Sequence, residues 1–181
     1  MPTLADAISN YIQAKDGNRP YLMRRAFAEH VALEMVVKTD AIAFPSSASG
    51  LDAIADTLVR RFSHEFENVY TFCLASPPGP IDGQFSCDWL VGMSSKGRIE
   101  VRVGCGRYDW QFQTSGSCLV ERLKITIERM QVLSPDCLNT IMNWLSALPY
   151  PWCPAQEATA SMPKLQELRP IVDYINRDQR P

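Results

Sequence analysis

Two histidines, one isolated aspartate and a group of aromatic residues are the side chains of this 181-residue chain best suited to chemistry. His30 falls on the apolar face of an expected helix, at the step into a strand, where an imidazole is well matched to giving or taking a proton near pH 7. The bland reading is a satisfied core histidine. His64 closes another expected helix, where the dipole favours an imidazolium; a pocket role stands there beside a simple role as helix terminator. Asp88 interrupts the apolar run FSCDWLVGM. If Phe85, Cys87, Trp89 and Val91 face one way, Asp88 shares the other face with Ser86, Leu90 and Gly92. A partly buried carboxylate needs a partner or has a raised pKa, and either state suits acid-base work. The alternative is a solvated face or an ion pair with Arg102 or Arg107. Glu34 and Asp40 are weaker candidates. Tyr70, Trp89, Tyr108 and Trp110 would line a pocket for a ring-shaped apolar ligand, with phenols as donors, or else simply fill the core.

Composition narrows the classes. With 46% hydrophobic residues the chain can build one sizeable core, and a net charge of -2 without a basic stripe argues against a nucleic-acid partner. No run of about 18 apolar residues is present to span a membrane, and the start MPTLADAISN lacks the basic and apolar regions of a signal peptide. The expected location is cytoplasmic. The six cysteines, at 73, 87, 105, 118, 137 and 153, show no paired zinc spacing and read as reduced core thiols. Cys105 stands out because a bulge beside it would turn its side chain towards a cavity.

That bulge is expected from the segment VGCGRYDWQF. Ile99, Val101 and Val103 place apolar groups on odd positions, whereas Tyr108, Trp110 and Phe112 place them on even ones. A strand has a period of two, so the switch calls for an extra residue, at least cost within Gly104-Cys105-Gly106. The remaining elements follow from periodicity and punctuation. Leu4, Ile8, Tyr11 and Ile12 share a helical face stopped by Asp16-Gly17-Asn18, and Pro20 starts a second helix with Leu22, Met23, Ala26, Phe27 and His30 on its apolar side. Ala32 to Val37 reads as a strand, and Ala41 to Phe44 as a second apolar piece. Ser49 and Asp52 form a capping box for a helix carrying Leu51 to Phe62. Four extended runs follow, Phe66 to Ala75, Phe85 to Met93, Arg98 to Gln113 and Leu119 to Leu133, and the turns PPGPIDG, SSKG and TSGS join them into an antiparallel meander. Ser134-Pro135 opens a further helix at about 135–147, ended by Pro149. The expected division is a domain over 1–148 and an extension over 149–181 packed on it as short helical turns.

This order resembles the nuclear transport factor 2-like (NTF2-like) superfamily, and within it the SnoaL-like, polyketide cyclase-like branch. Three stretches carry the likeness. RRAFAEHVALEMVV (Arg24 to Val37) is similar to the branch's passage from helix to strand. His64-Glu65-Phe66-Glu67-Asn68 resembles its His-His-x-x-Asn run into the third strand. Gly106-Arg107-Tyr108-Asp109-Trp110-Gln111-Phe112 is similar to its G-R-Y-x-D-x-F strand, with Leu123 to Arg129 as the final strand. The likeness covers roughly residues 4 to 133. It implies an α+β fold in which a cone-shaped, curved antiparallel sheet wraps N-terminal helices, the cystatin-like α+β barrel, with a pocket between sheet and helix. The chain departs from the pattern where His30 replaces an acidic residue, Glu65 replaces the second histidine, and Trp110 occupies the aspartate position beside Asp109.

Two functional classes remain. One is a small-molecule-binding domain, catalysing cofactor-free lyase or isomerase chemistry with His30 and His64 as proton carriers and Asp88 or Tyr108 orienting the substrate; Tyr70, Trp89, Cys105, Tyr108 and Trp110 would bind a small apolar or ring-shaped molecule. The other is a non-catalytic interaction domain that forms a homodimer through the sheet face around Phe66 to Ala75. The small subunit of a ring-hydroxylating dioxygenase is a further possibility that requires an iron-bearing partner chain. No phosphate loop, nucleophile elbow or H-E-x-x-H motif is present, so no cofactor and no metal are expected.

Overall fold

A capping box starts the first helix, α1 (Leu4–Asp16): Asp6 N donates to Thr3 Oγ1 at 3.1 Å and Thr3 N donates to Asp6 Oδ2 at 2.8 Å. Its apolar face, with Ile8, Tyr11 and Ile12 fully buried, lies along the inner face of a six-stranded sheet. The computed structural model describes residues 2–80, 83–97, 100–114 and 116–179. Ile99, the first residue of the expected parity switch, lies outside the described residues. The strands are β1 (Phe27–Val37), β2 (Ser47–Ser49), β3 (Phe66–Cys73), β4 (Gln84–Ser95), β5 (Val101–Phe112) and β6 (Val120–Leu133), in the order β2-β1-β6-β5-β4-β3. The meander from β3 to β6 is antiparallel as expected, and β1 adds to it parallel to β6. The sheet is therefore mixed and open, and it curls round α1 as a cone rather than closing into a barrel.

The helix expected from Pro20 to His30 is a short 3-10 turn, Pro20–Arg25, and β1 starts at Phe27. Phe27, Val31, Leu33 and Met35 are buried on odd positions, and that period of two prevails over the helical spacing that also fits the segment. Residues 41–44 form no strand. Ser49 pairs with Ala32 in the sheet rather than capping a helix; the helix begins after Gly50, whose φ of 86° suits glycine, without a side-chain cap. It runs as α2 (Leu51–Ala55), a π-helical turn (Asp56–Arg60) and α3 (Arg61–Glu65). Leu58, Phe62 and Val59 from this stretch close the inner core over α1.

The parity switch in β5 is real, but its cause is not a bulge in β5. That strand pairs with β4 without a break from Val101↔Ser94 to Gln111↔Gln84. Val101, Val103 and Cys105 point to the outer face and Tyr108, Trp110 and Phe112 to the inner face of one continuous pleat. The apolar residues change parity because the covered face changes. The extra residue belongs to β6, where Cys105 pairs with Arg129 and Gly106 with Ile127, leaving Glu128 over. A second bulge lies in β3 between Glu67 and Tyr70, around Asn68 with a φ of 54°. Gly106 is required by close approach, since a Cβ there would lie 1.9 Å from the Thr126 carbonyl oxygen, whereas one on Gly104 would lie 2.5 Å from Met130 Cε, the end of a flexible side chain.

The outer face carries a second core. After the 3-10 turn Pro135–Cys137 come α4 (Leu138–Ser146), α5 (Ala155–Ala160) and α6 (Arg169–Ile175). Ile141, Leu145, Leu168, Ile171 and Ile175 pack on Phe72, Leu90, Val101, Val103 and Cys105. The sheet face that sequence reasoning offered to a second copy is thus covered, at these positions, by the chain's own C-terminal helices. No helix among the described residues is long and apolar enough to cross a membrane.

Candidate functional site

Between α1, the π-helical turn and the inner sheet face lies a cavity of about 40 Å³, room for about three waters. Its wall is apolar for the most part, from Met35, Leu58, Val91, Met93, Ile125, Ile127 and Met130. The wall residues that carry polar groups are Tyr11, Lys15, Thr71, Trp89 and Tyr108. The Tyr11 and Tyr108 rings meet edge to face with centroids 6.0 Å apart, and burial pushes both phenols above the ordinary tyrosine range. Trp89 tilts against Tyr108 with ring centroids 5.7 Å apart, and its buried indole N–H has no hydrogen-bond partner among the described residues. A buried donor without an acceptor costs about 1–3 kcal/mol.

Among the described residues Lys15 is the single charged side chain of the wall. Its ammonium donates to Thr71 Oγ1 at 2.7 Å and to Asp16 Oδ1 at 2.9 Å, and it lies 4.7 Å from the centre of the Phe62 ring. Asp16 accepts three further hydrogen bonds, from Thr71 N at 2.7 Å, Thr71 Oγ1 at 2.8 Å and Tyr150 O–H at 3.0 Å. The two side chains are 8% and 6% exposed, so α1 is tied to β3 by a desolvated ion pair at one end of the cavity. Sequence reasoning passed over this group, taking Asp16 as part of a helix stop. A signal was present: Lys15 follows Ile8, Tyr11 and Ile12 at helical spacing, which places a cation on the buried face.

The structure does not bring His30, His64 and Asp88 together. His30 is exposed on β1, within the stretch where the pairing of β1 with β6 shifts register between Phe27 and Ala32. His64 is exposed on α3, beside a separate surface pocket. Asp88 lies on the outer sheet face, as the alternation in β4 requires. Its partners are Arg177 Nη2, at 2.9 Å from Oδ2, and the Tyr174 O–H, at 3.2 Å from Oδ1, both from the C-terminal segment rather than Arg102 or Arg107. Arg102 instead donates to the Ala41 carbonyl, and Arg107 pairs with Asp109 at 3.1 Å.

Of the expected ligand-binding residues, Trp89 and Tyr108 line the cavity. Trp110 is buried one position further along, 5.5 Å from Tyr11. Tyr70 lies against the second core, where it stacks on Phe72. Cys105 also belongs to the second core, and burial pushes its thiol up to about 12. The bulge that was to turn Cys105 inward is in β6, so its side chain keeps the outer parity of Val101 and Val103. Asn68, quoted for the His64 motif, serves the β3 bulge: its Nδ2 donates to Ser94 Oγ at 2.9 Å. Among the described residues no three of His, Cys, Asp or Glu come together to hold a metal ion.

No protein-family model and no curated protein matches the sequence. Solved structures do match in shape. An NTF2-like superfamily protein from Salmonella enterica superposes with a TM-score of 0.54 at 14% identity, over 69% of this chain and 88% of that one. A protein with a ketosteroid isomerase-like fold from Catenulispora acidiphila, in complex with trimethylamine, gives 0.52 at 13% identity, over 66% and 83%. A computationally designed 17-OHP binder gives 0.55 at 12% identity, over 73% and all of that chain. At such identities the likeness concerns the backbone, and it agrees with the strand order, the inner helix and the cavity described above: the chain has the NTF2-like fold.

Proposed function

We propose that the cone binds a small, mostly apolar molecule that carries an acceptor oxygen, such as a carbonyl. The observation that carries this reading is the unpartnered indole N–H of Trp89, a residue of the apolar wall, beside the buried phenols of Tyr11 and Tyr108. Donors grouped in low dielectric favour one oxygen and have little use for a plain hydrocarbon. Binding is better supported than proton transfer, because the wall presents donors and a lysine already paired with Asp16, and neither His30 nor His64 contributes to it. The same fold holding an amine in one neighbour and serving as a designed binder in another is consistent with this use.

A ring-sized ligand needs about 300 Å³ or more, so the cavity must widen to take one. Ile42, Phe44 and Phe62 line both the cavity and an outer groove of about 270 Å³, and Phe44 stacks on Phe62 with centroids 6.4 Å apart. Displacing this pair joins the two spaces. The test compares matched apolar probes, for example cyclic ketones against the parent hydrocarbons, by Trp fluorescence and calorimetry. The ketones are expected to bind about tenfold or more tightly, and the margin to shrink in Tyr108→Phe. Equal affinity for ketone and hydrocarbon, or no binding of either, refutes the reading.

A further inference from the structure

We infer that a second pocket, on the outer side of the helix that roofs the cavity, is a phosphate-binding site. It is a surface pocket of about 490 Å³ lined by Asn18, Arg60, Ser63, His64 and Lys96. Among the described residues that line it, three of five carry or can carry positive charge and none is a carboxylate, in a chain whose net charge is -2. The three come from two elements: Arg60 and His64 from the helical stretch over residues 51–65, and Lys96 from the turn after β4. Asn18, from the turn after α1, adds an amide.

The arrangement is held in place. Lys96 Nζ donates to the Ser63 carbonyl at 2.6 Å and Lys96 N donates to the Glu65 carbonyl at 2.8 Å. Two carbonyls of the last helical turn, which would otherwise repel an anion, are thereby occupied. The lysine keeps two N–H donors for a ligand. Arg60 is exposed and makes no ion pair among the described residues, whereas its neighbour Arg61 is bound to Asp56 at 2.7 Å. A free guanidinium fork beside an ammonium and an imidazole matches a tetrahedral oxyanion, to which the arginine bonds through two N–H groups and the others through one each. Phosphate, with more oxygens and a charge of about −1.5 to −2 near pH 7, matches three cationic groups better than a singly charged carboxylate. The pocket stands apart from the cavity, and its test does not depend on what the cavity binds.

The chain has only two histidines, which makes proton NMR a direct probe. Inorganic phosphate is titrated at low ionic strength and pH 7.5, with chloride at matched ionic strength as control, while the imidazole signals of His64 and His30 are followed. A saturable shift of His64, with His30 unmoved and chloride without effect, is the expected result. Arg60→Gln and Lys96→Gln should each weaken binding by about tenfold, and Arg107→Gln, which removes an equal charge elsewhere, should leave it unchanged. A non-saturating shift, the same shift with chloride, or equal weakening by Arg107→Gln overturns the proposal. Glycerol phosphate is titrated alongside: tighter binding than inorganic phosphate identifies a phosphate ester as the ligand class, and weaker binding identifies the free ion.

Discussion

Removing the charge of Asp16 tests the energetics of the cavity end most directly. Its carboxylate is 6% exposed and receives the Lys15 ammonium, two donors of Thr71 and the Tyr150 hydroxyl, all at 2.7–3.0 Å. Asp16→Asn keeps the volume but leaves the ammonium of Lys15, 8% exposed, without a counterion, and turns an NH2 group towards existing donors. Breaking a buried pair on one side costs about 3–5 kcal/mol, much of it the penalty of the stranded charge. Deleting both charges in Lys15→Met with Asp16→Asn removes that penalty, so the double variant should recover at least half of the loss although it carries one more substitution. The assay is urea unfolding at pH 7 of wild type, both single variants and the double variant, read as a cycle. If Asp16→Asn lies within about 0.5 kcal/mol of wild type, or the two losses simply add, the pair is not desolvated as described.

Other consequences can be checked more briefly. Gly106→Ala should be destabilised by more than about 2 kcal/mol in thermal melts, since its Cβ would meet the Thr126 carbonyl at 1.9 Å, where backbone cannot move aside; a wild-type melt would contradict that approach. Arg177→Gln should cost about 1 kcal/mol, because the pair with Asp88 is partly solvated, and should speed amide exchange in α6 more than in α1; uniform exchange would show that Arg177 does not pin the tail. Raising the pH should unfold the protein in a defined direction. Burial raises the phenols of Tyr11, Tyr108, Tyr150 and Tyr174 and the thiols of Cys105 and Cys153, while a hydrogen bond to Cys87 together with burial raises Cys73. The unfolded chain ionises first, so their contribution is intact below about pH 8.5 and falls as pH rises, by up to about 1.4 kcal/mol per pH unit for each fully buried group and by less for Tyr150 and Tyr174, which are partly solvated. Stability that is flat between pH 8.5 and 11 would contradict this. Finally, His30→Gln and His64→Gln should leave ketone binding in the cavity unchanged by calorimetry; loss in either would return that histidine to the site.

Much of the sheet was legible because strand alternation is a local signal. Phe85 to Met93 and Leu119 to Leu133 lie within two residues of β4 and β6 at each end. Where two periods fit the same residues, as from Met23 to His30, tertiary packing chose the strand, and His30 moved from a buried helix face to an exposed strand. The switch in β5 was visible, but one strand cannot reveal whether its parity changes through an added residue or through cover on the opposite face. That depends on Ile141, Leu145 and Ile171 arriving from a later part of the chain. The Asp16 network escaped for the same reason, since its members are separated by 55 and 134 residues in sequence.

The uninterrupted pleat of β4 and β5 makes the sheet a partition between two rooms. Consecutive residues answer to different tenants: Val91 borders the ligand space, while Leu90 holds the C-terminal helices. Shortening Val91 enlarges what the cone can admit and leaves the far side intact, whereas shortening Leu90 loosens the covering helices without touching the ligand wall. The two faces are therefore free to diverge separately, ligand shape on one and outer cover on the other, with a single step along the strand as the boundary between them.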